Sequence, residues 1–528
     1  MDKKLLIESG RTALGIEFGS TRVKAVLIGE DCEVISSGSY EWENQLLDGY
    51  WTYSLDEIHT ALRTCYSDLR KDVNEKYGVS LKKIGAIGIS GMMHGYMAFD
   101  KNGKLLTPFR TWRNTTTEKA SAELTEKLSF NIPQRWTASH LYEAIIDGEA
   151  HVPEIAYVTT LVGYIHYMLT GVNAVGIGEA SGIFPIDSTK NDYDENMVGI
   201  FDRLTEEKGF TKKLREVFPK VLLAGENAGC LTGKGVNMLD ESGELEAGIP
   251  FAPGEGDAGT GMVATNSVRV KTGNISAGTS VFLMLVLEKA LSKVYPEIDM
   301  VTTPSGKPVA MVHCNNCTSD INAWGGILHS FASLLGSDAK KGRVYDLMYE
   351  AASKADYDCG GLVSYNYYSG EPVTGFKEGR PLLIRTPDCK FTFENFMLCE
   401  LYSAMATLRI GFELLKDEEV SVEELYGHGG FYIYPGVGQS ITAAALDCDV
   451  SVMKTAGEGG PYGMALLALY SIMGEGKTLE DFLREKAFRD AECLTVSPDE
   501  ERKKGFNSFL ERYKDGLSAE AEAVKSIK

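Results

Sequence analysis

Residues 15–28 read Gly-Ile-Glu-Phe-Gly-Ser-Thr-Arg-Val-Lys-Ala-Val-Leu-Ile, and the fold is first decided here. Ala13–Phe18 is a short apolar strand interrupted by Glu17, Gly19-Ser20-Thr21 supplies a turn, and Val23–Ile28 is a second apolar strand. Glycine permits the tight turn, so the two strands read as a hairpin. A third strand is expected around Glu33–Tyr40. Asp56–Tyr77 then changes period, placing Ile58, Leu62, Tyr66, Leu69 and Val73 on one helical face. Ile84–Ile89 is a compact buried strand ending at Ser90-Gly91. Strands, then a helix, then a further strand predict an α/β domain.

Further along, Phe109–Thr117 and Ile177–Tyr193 are loop-rich, and Leu161–Leu169 reads as a helix packed by Tyr164, Ile165 and Met168. A new unit opens near Ile249, where prolines punctuate Gly254-Glu255-Gly256-Asp257-Ala258-Gly259 and a helix follows. Lys271–Ser280 reads as a Gly/Ser/Thr turn before the apolar run Val281–Val286. Phe393–Leu415, Ile441–Ala445 and Tyr462–Tyr470 are helical, and Glu500–Lys528 is a charged surface helix with a frayed end. A chain of 528 residues exceeds the roughly 250–300 that one core serves. The boundary falls near 250–270, giving domains 1–260 and 261–528. Each half opens with a glycine turn between short strands.

The composition narrows the function. The chain has 53 basic and 74 acidic residues, a net charge of −21, which disfavours nucleic acid as a partner. Ten cysteines are too few for a disulfide scaffold. The N-terminal stretch has no secretory pattern, and the longest apolar runs fall short of the roughly 20 residues that cross a bilayer. A soluble cytoplasmic protein is expected, with no membrane partner. There are 56 glycines but only 16 prolines, which points to tight turns and close backbone approaches.

The glycines cluster at Gly15–Thr21 with Lys24, at Gly254–Gly261, at Gly273–Ser280 and at Gly427–Gly438. Each cluster offers successive N–H groups able to cradle phosphoryl oxygens or to lie against an adenine. None is a Walker A loop or a dinucleotide fingerprint. One such turn alone reads as a hairpin or helix cap; four together favour a phosphate-handling site.

The stretches GIEFGSTRVKAVLI at 15–28, GISGMMHGYMAFDKNGKLL at 88–106, PGEGDAGTGM at 253–262, GNISAGTSVF at 273–282, GHGG at 427–430 and EGGPYGMALLA at 458–468 carry a resemblance to the FGGY family of carbohydrate kinases, within the actin-like ATPase group. They run in the family's order over nearly the whole chain. The resemblance implies two ribonuclease-H-like α/β domains flanking a central cleft, and phosphorylation of a sugar or polyol with ATP and Mg2+.

It also implies roles. Asp257 stands where these kinases place the general base that accepts the proton of the attacking hydroxyl. Gly19, Ser20 and Thr21 resemble the first phosphate loop, with Lys24 either on phosphate or in solvent. The family's usual Asp is Glu17 here, one methylene longer, and Glu17 with Asp257 would serve the metal. Gly273–Ser280 resembles the second phosphate loop, with Gly278, Thr279 and Ser280 at the γ-phosphate. Gly427, Gly429 and Gly430 resemble the adenosine segment, with His428 pointing outward. Met93-His94-Gly95 resembles the sugar-side segment of xylulose kinases in particular. Trp112-Arg113-Asn114 falls where those kinases often carry W-N-D, so Asn114 replaces an acid; Trp112 would stack on the sugar and Arg113 would be a structural or a substrate-orienting cation. Trp136 and His140 are further pocket candidates. His313-Cys314-Asn315-Asn316-Cys317 with Asp320 reads as pocket wall, half a zinc site or a redox pair. The expected reaction is in-line transfer to a ketopentose such as D-xylulose, with ribulose, another ketose, a polyol or a non-catalytic sugar sensor as alternatives. The apolar and aromatic content of the C-terminal half leaves room for a homodimer.

Overall fold

Residues 12–29 form the expected hairpin in a computed structural model that describes residues 2–453 and 459–528. Strands β1 (Thr12–Phe18) and β2 (Arg22–Gly29) pair antiparallel from Thr12↔Gly29 to Phe18↔Val23. β3 (Val34–Glu41) adds antiparallel to β2, while β4 (Ala86–Gly91) and β5 (Glu255–Gly256) add parallel on the other side, in the order β5-β4-β1-β2-β3. A parallel neighbour needs a long crossover, and the helix Leu55–Tyr77 lies in the first one. It buries Ile58, Leu62, Tyr66, Leu69 and Val73, the face its spacing predicts. The Ser54 side chain caps its start and Gly78, at φ 66°, ends it.

The second sheet has seven strands: β6 (Thr272–Ala277), β7 (Val281–Val286), β8 (Ile298–Thr302), β9 (Pro308–Cys314), β10 (Glu424–His428), β11 (Asp449–Met453) and β12 (Cys493–Val496), in the order β8-β9-β7-β6-β10-β11-β12. Its inner part repeats the first sheet. β6, β7 and β9 form an antiparallel meander, and β10 and β11 add parallel beside β6. The same three-plus-two topology therefore occurs twice, giving the two-domain actin-like architecture.

One late helix, Gly459–Met473, packs on the first lobe, against β1, β4 and the helix Asp257–Ala264. Two glycines make that approach possible. A Cβ on Gly15 would collide with the backbone of Pro461 and Ala465, and one on Gly463 with the backbone of Thr260.

Three expectations change. Lys271–Ser280 is mostly strand, with turns only at Lys271 and 278–280, because Ile275 and Ala277 are buried at the centre of the second sheet. The C-terminal tail is not a loose surface helix: Phe506, Phe509, Leu510 and Tyr513 form a helical stripe buried in the second lobe's core. Met168 points outward from the helix Leu161–Thr170. Glu458, the first residue of the segment 458–468, lies outside the described residues.

Candidate active site

The two-residue strand β5 delivers Asp257 to the start of the helix Asp257–Ala264. Its carboxylate Oδ1 accepts the Ala258 N–H at 2.9 Å, and the Met93 N–H donates to the same carboxylate. Asp257 sits in a cleft of ≈ 490 Å³ walled by both lobes, with His94, Trp112 and Arg135 on one side and Phe282, Met311 and His313 on the other. Asp257 is exposed toward the cleft, and its carboxyl lies between backbone N–H donors and the walls of the two lobes. That enclosure pushes its pKa up to about 6, against the pull of the N–H bonds.

Two more buried carboxyls brace this strand. Glu255, two residues before Asp257, accepts the N–H groups of Gly178 at 3.3 Å and Glu179 at 3.0 Å, and Gly176 donates to Gly254 O at 2.7 Å. Burial raises Glu255 to about 8. Glu179 is fully enclosed behind Gly256, where a Cβ would meet its Oε2 and the Met93 side chain. Burial, together with the nearby Glu255 and Asp257 charges, holds Glu179 well above the usual carboxylate range. Neither role was legible, since the sequence shows Glu255 only as a turn residue.

Glu17 lies on β1 opposite Lys24. Burial and the charge of Asp257 raise it to about 8, and Lys24 pulls it back. Its carboxylate packs on the bare Cα of Gly460. The charge of Asp257 acts on Glu17, so the two carboxyl groups lie near enough to share a cation, and Mg2+ commonly takes one or two carboxylates with substrate phosphates. Glu17 and Asp257 therefore fit the metal the fold implies.

On the sugar side, His94 adopts the left-handed conformation at φ 70°. Its Nδ1 lies 3.3 Å from Gly182 O, an acceptor, so Nδ1 carries the proton and Nε2 is left as an acceptor. Burial and the nearby Arg135 charge hold the ring neutral. Trp136, fully buried, stacks on His94 at 6.2 Å and 17°; it supports the imidazole and does not line the cleft. Trp112 is 38% exposed in the cleft wall and donates Nε1–H to Ser20 Oγ at 3.1 Å, joining the sugar side to the first turn. Met93 is buried against Gly256.

Two expected contacts point elsewhere, and a third, Arg113, lines the cleft but is anchored at its rim. The Arg113 guanidinium lies 4.3 Å over the Trp51 ring and donates to Asn44 Oδ1 at 3.1 Å, which holds it at the rim. Asn114 is buried and gives its amide to the backbone of Trp51 and Thr111, not to the cleft. His140 is fully buried against Tyr96.

The first turn is fixed by aromatic donors: Trp42 Nε1–H donates to Gly19 O at 2.7 Å and the Tyr53 hydroxyl to Ser20 O at 2.6 Å. Thr21 is exposed at its tip. The second turn is its counterpart at the β6–β7 junction. Gly278 O accepts from Thr318 N at 3.0 Å and Thr318 Oγ1 at 2.7 Å, leaving Thr279 exposed and Ser280 half-buried. Thr318 also lines a second cavity, ≈ 420 Å³, with Tyr345, Tyr349, Tyr434 and Gly430. Gly429, at φ 99°, lies so close to Ala277 that a Cβ would strike its backbone, and Gly427 packs on the Tyr432 ring. His428 is half-buried, not outward: its Nε2 accepts from the Asn274 amide at 3.1 Å. Tyr345 and Tyr349 come from a segment outside the four glycine clusters, and Tyr434, though inside the last one, carries no motif of its own; the sequence reading missed all three.

Of the His313 cluster, His313 and Asn315 line the main cleft. Cys314 and Cys317 are buried thiols, both raised by desolvation. Arg135, with no motif to mark it, also lines the cleft.

Family models for the N-terminal and C-terminal domains of the FGGY family of carbohydrate kinases match residues 12–264 and 273–472. The chain is 24% identical over 521 residues to a xylulose kinase of Haemophilus influenzae, covering 96% of this chain and 99% of that one. Among solved structures it resembles a xylulose kinase of Rhodospirillum rubrum, with TM-score 0.77, 17% identity and coverage of 96% and 99%. It is equally similar to a gluconate kinase of Lactobacillus acidophilus, with TM-score 0.77, 16% identity and coverage of 96% and 98%. Among the described residues no helix is long and apolar enough to cross a membrane. Duplicated sheets, a cleft between lobes and two matching family models lead to one conclusion: the chain belongs to the FGGY family of carbohydrate kinases.

Proposed function

We propose that the protein transfers the γ-phosphoryl group of ATP to a hydroxyl of a small sugar, a ketopentose such as D-xylulose, with Asp257 as general base. The observation that carries this is the carboxylate of Asp257, held by two backbone N–H groups and facing a cleft of ≈ 490 Å³ between the lobes. A carboxylate pKa near 6 leaves it mostly ionised at neutral pH and able to take the hydroxyl proton as the phosphoryl group arrives. His94 Nε2 accepts a second sugar hydroxyl, and the Trp112 ring covers the sugar's apolar face.

ATP lies with its adenine in the cavity lined by Gly430 and the three tyrosines, and its phosphates between the turns Gly19–Thr21 and Gly278–Ser280. Exposed amides and the hydroxyls of Thr21, Thr279 and Ser280 meet the phosphate oxygens there. Mg2+, when bound with the nucleotide, is held by Glu17 and Asp257 and neutralises phosphate charge. The first lobe, near 1–260, carries the sugar side and the second, near 261–528, the nucleotide side.

A screen of ketoses, polyols and aldonates with ATP and Mg2+, scored for phosphorylated product, tests the reading. A sugar phosphate from a ketopentose is the expected result. Sugar-dependent ADP release with no sugar phosphate would overturn it.

A further inference from the structure

Arg135 reaches the cleft from the loop before the helix Thr137–Ile146, in the first lobe. Its Nη2 forms an ion pair with Asp299 Oδ2, which stands on β8, the edge strand of the second lobe. Asn131 ties the same carboxylate down, donating Nδ2–H to Asp299 Oδ1 at 3.1 Å and to Ile298 O at 3.0 Å. Asp299 is 8% exposed. The guanidinium is thus aimed by a buried carboxylate from the facing lobe. It has five N–H donors and no acceptor, and the Asp299 pair occupies one edge.

The charges around it are accounted for. Arg113 is spent on Trp51 and Asn44 at the rim. His94 and His313 are kept neutral by burial and by Arg135 itself. Asp257 is the one carboxylate among the described residues lining the cleft. With Arg135 matched by Asp299, the sugar meets a charge-compensated guanidinium in the cleft wall, the Arg113 cation at the rim and one negative base.

We propose that Arg135 is a specificity-determining contact, donating to the carbonyl oxygen of a neutral keto sugar, and that Asp299 is its positioning residue. A carbonyl oxygen only accepts hydrogen bonds, so it suits a group that only donates. A polyol hydroxyl at the same point has a proton left over with no acceptor in Arg135. An aldonate brings a second negative charge beside Asp257, while the guanidinium that would meet it already serves Asp299.

This inference rests on the kinase reading, and the test separates the two by measuring binding apart from transfer. D-xylulose, xylitol and D-xylonate are titrated by calorimetry against the wild type, Arg135→Met, Arg135→Lys and Asp299→Asn. Wild type binds xylulose tightest. Arg135→Met weakens xylulose by about tenfold or more and xylitol by less than about threefold, which collapses the preference. Arg135→Lys keeps the charge and recovers part of it. Asp299→Asn shifts the preference toward xylonate. Melting temperatures establish that the variants are folded; if Arg135→Met is not, the Arg135→Lys and Asp299→Asn shifts decide. Equal losses for xylulose and xylitol, or a wild type that binds xylitol as well as xylulose, overturn the proposal. Intact discrimination without phosphoryl transfer would instead overturn the kinase reading and leave the role of Arg135 standing.

Discussion

Asn114 and Trp51 exchange a reciprocal pair of hydrogen bonds: the Trp51 N–H donates to Asn114 Oδ1 at 2.8 Å, and Asn114 Nδ2–H donates to Trp51 O at 2.9 Å. A third bond runs from Nδ2 to Thr111 O at 3.0 Å. The residue that replaces the expected acid is therefore a backbone clamp. An aspartate would turn a carboxylate oxygen onto two carbonyls in a buried place. Asn114→Asp should destabilise the protein by about 2–3 kcal/mol, read by urea denaturation, while KM for sugar changes little in the folded enzyme. A large rise in sugar KM with unchanged stability would mean that Asn114 reaches the substrate after all.

Asp257→Asn keeps the shape of the loop but removes the proton acceptor. Loss of a positioned base typically costs about 10²–10⁴ in rate. The expected result is that loss in kcat with ADP affinity retained, as measured by calorimetry. Transfer within a few-fold of wild type would remove Asp257 from the base role.

The pH profile follows from the raised pKa of Asp257. The ionised form is the active one, so kcat/KM should fall as pH drops through about 6 and level off above it. The buried carboxyls set an opposite trend in stability. Glu255 is raised from 4.5 to about 8, so the folded state prefers its protonated form. Its contribution is full below pH 4.5 and is lost as pH rises through about 8. Glu255→Gln should flatten that part of the curve, seen as a smaller difference in melting temperature between pH 5 and pH 8 than in wild type.

Gly430 borders the tyrosine-lined cavity, and a Cβ there meets open space. Gly430→Val should fold normally but fill the adenine pocket, raising KM for ATP by about tenfold with sugar KM unchanged. Steady-state kinetics with each substrate varied in turn would show it; an unchanged KM for ATP would move the nucleotide elsewhere.

Much of the fold was legible because local periodicity reports it. The hairpin 12–29 and the helix face from Ile58 to Val73 follow from alternation and 3.6-residue spacing. Lys271–Ser280 was misread since its Gly, Asn and Ser residues suit a turn, yet burial between β7 and β10 makes six of its ten residues strand. At the site, Asp257, His94 and the two hairpin turns were visible as motifs. Arg135 and Asp299 were not, because their meaning lies in a contact between residues 164 positions apart.

The sequence by itself determined the family, the two-lobed α/β class and the residue types of the catalytic and phosphate segments, because these reside in short contiguous motifs. Only the tertiary structure decided which polar residues meet in the cleft. It sent Asn114 and His140 to structural duties, anchored Arg113 at the cleft rim, and brought Arg135 and Gln134 to the cleft wall beside His313. The physical reason is that a polar side chain takes the partners that folding puts within hydrogen-bond reach, and its neighbours in sequence do not specify them.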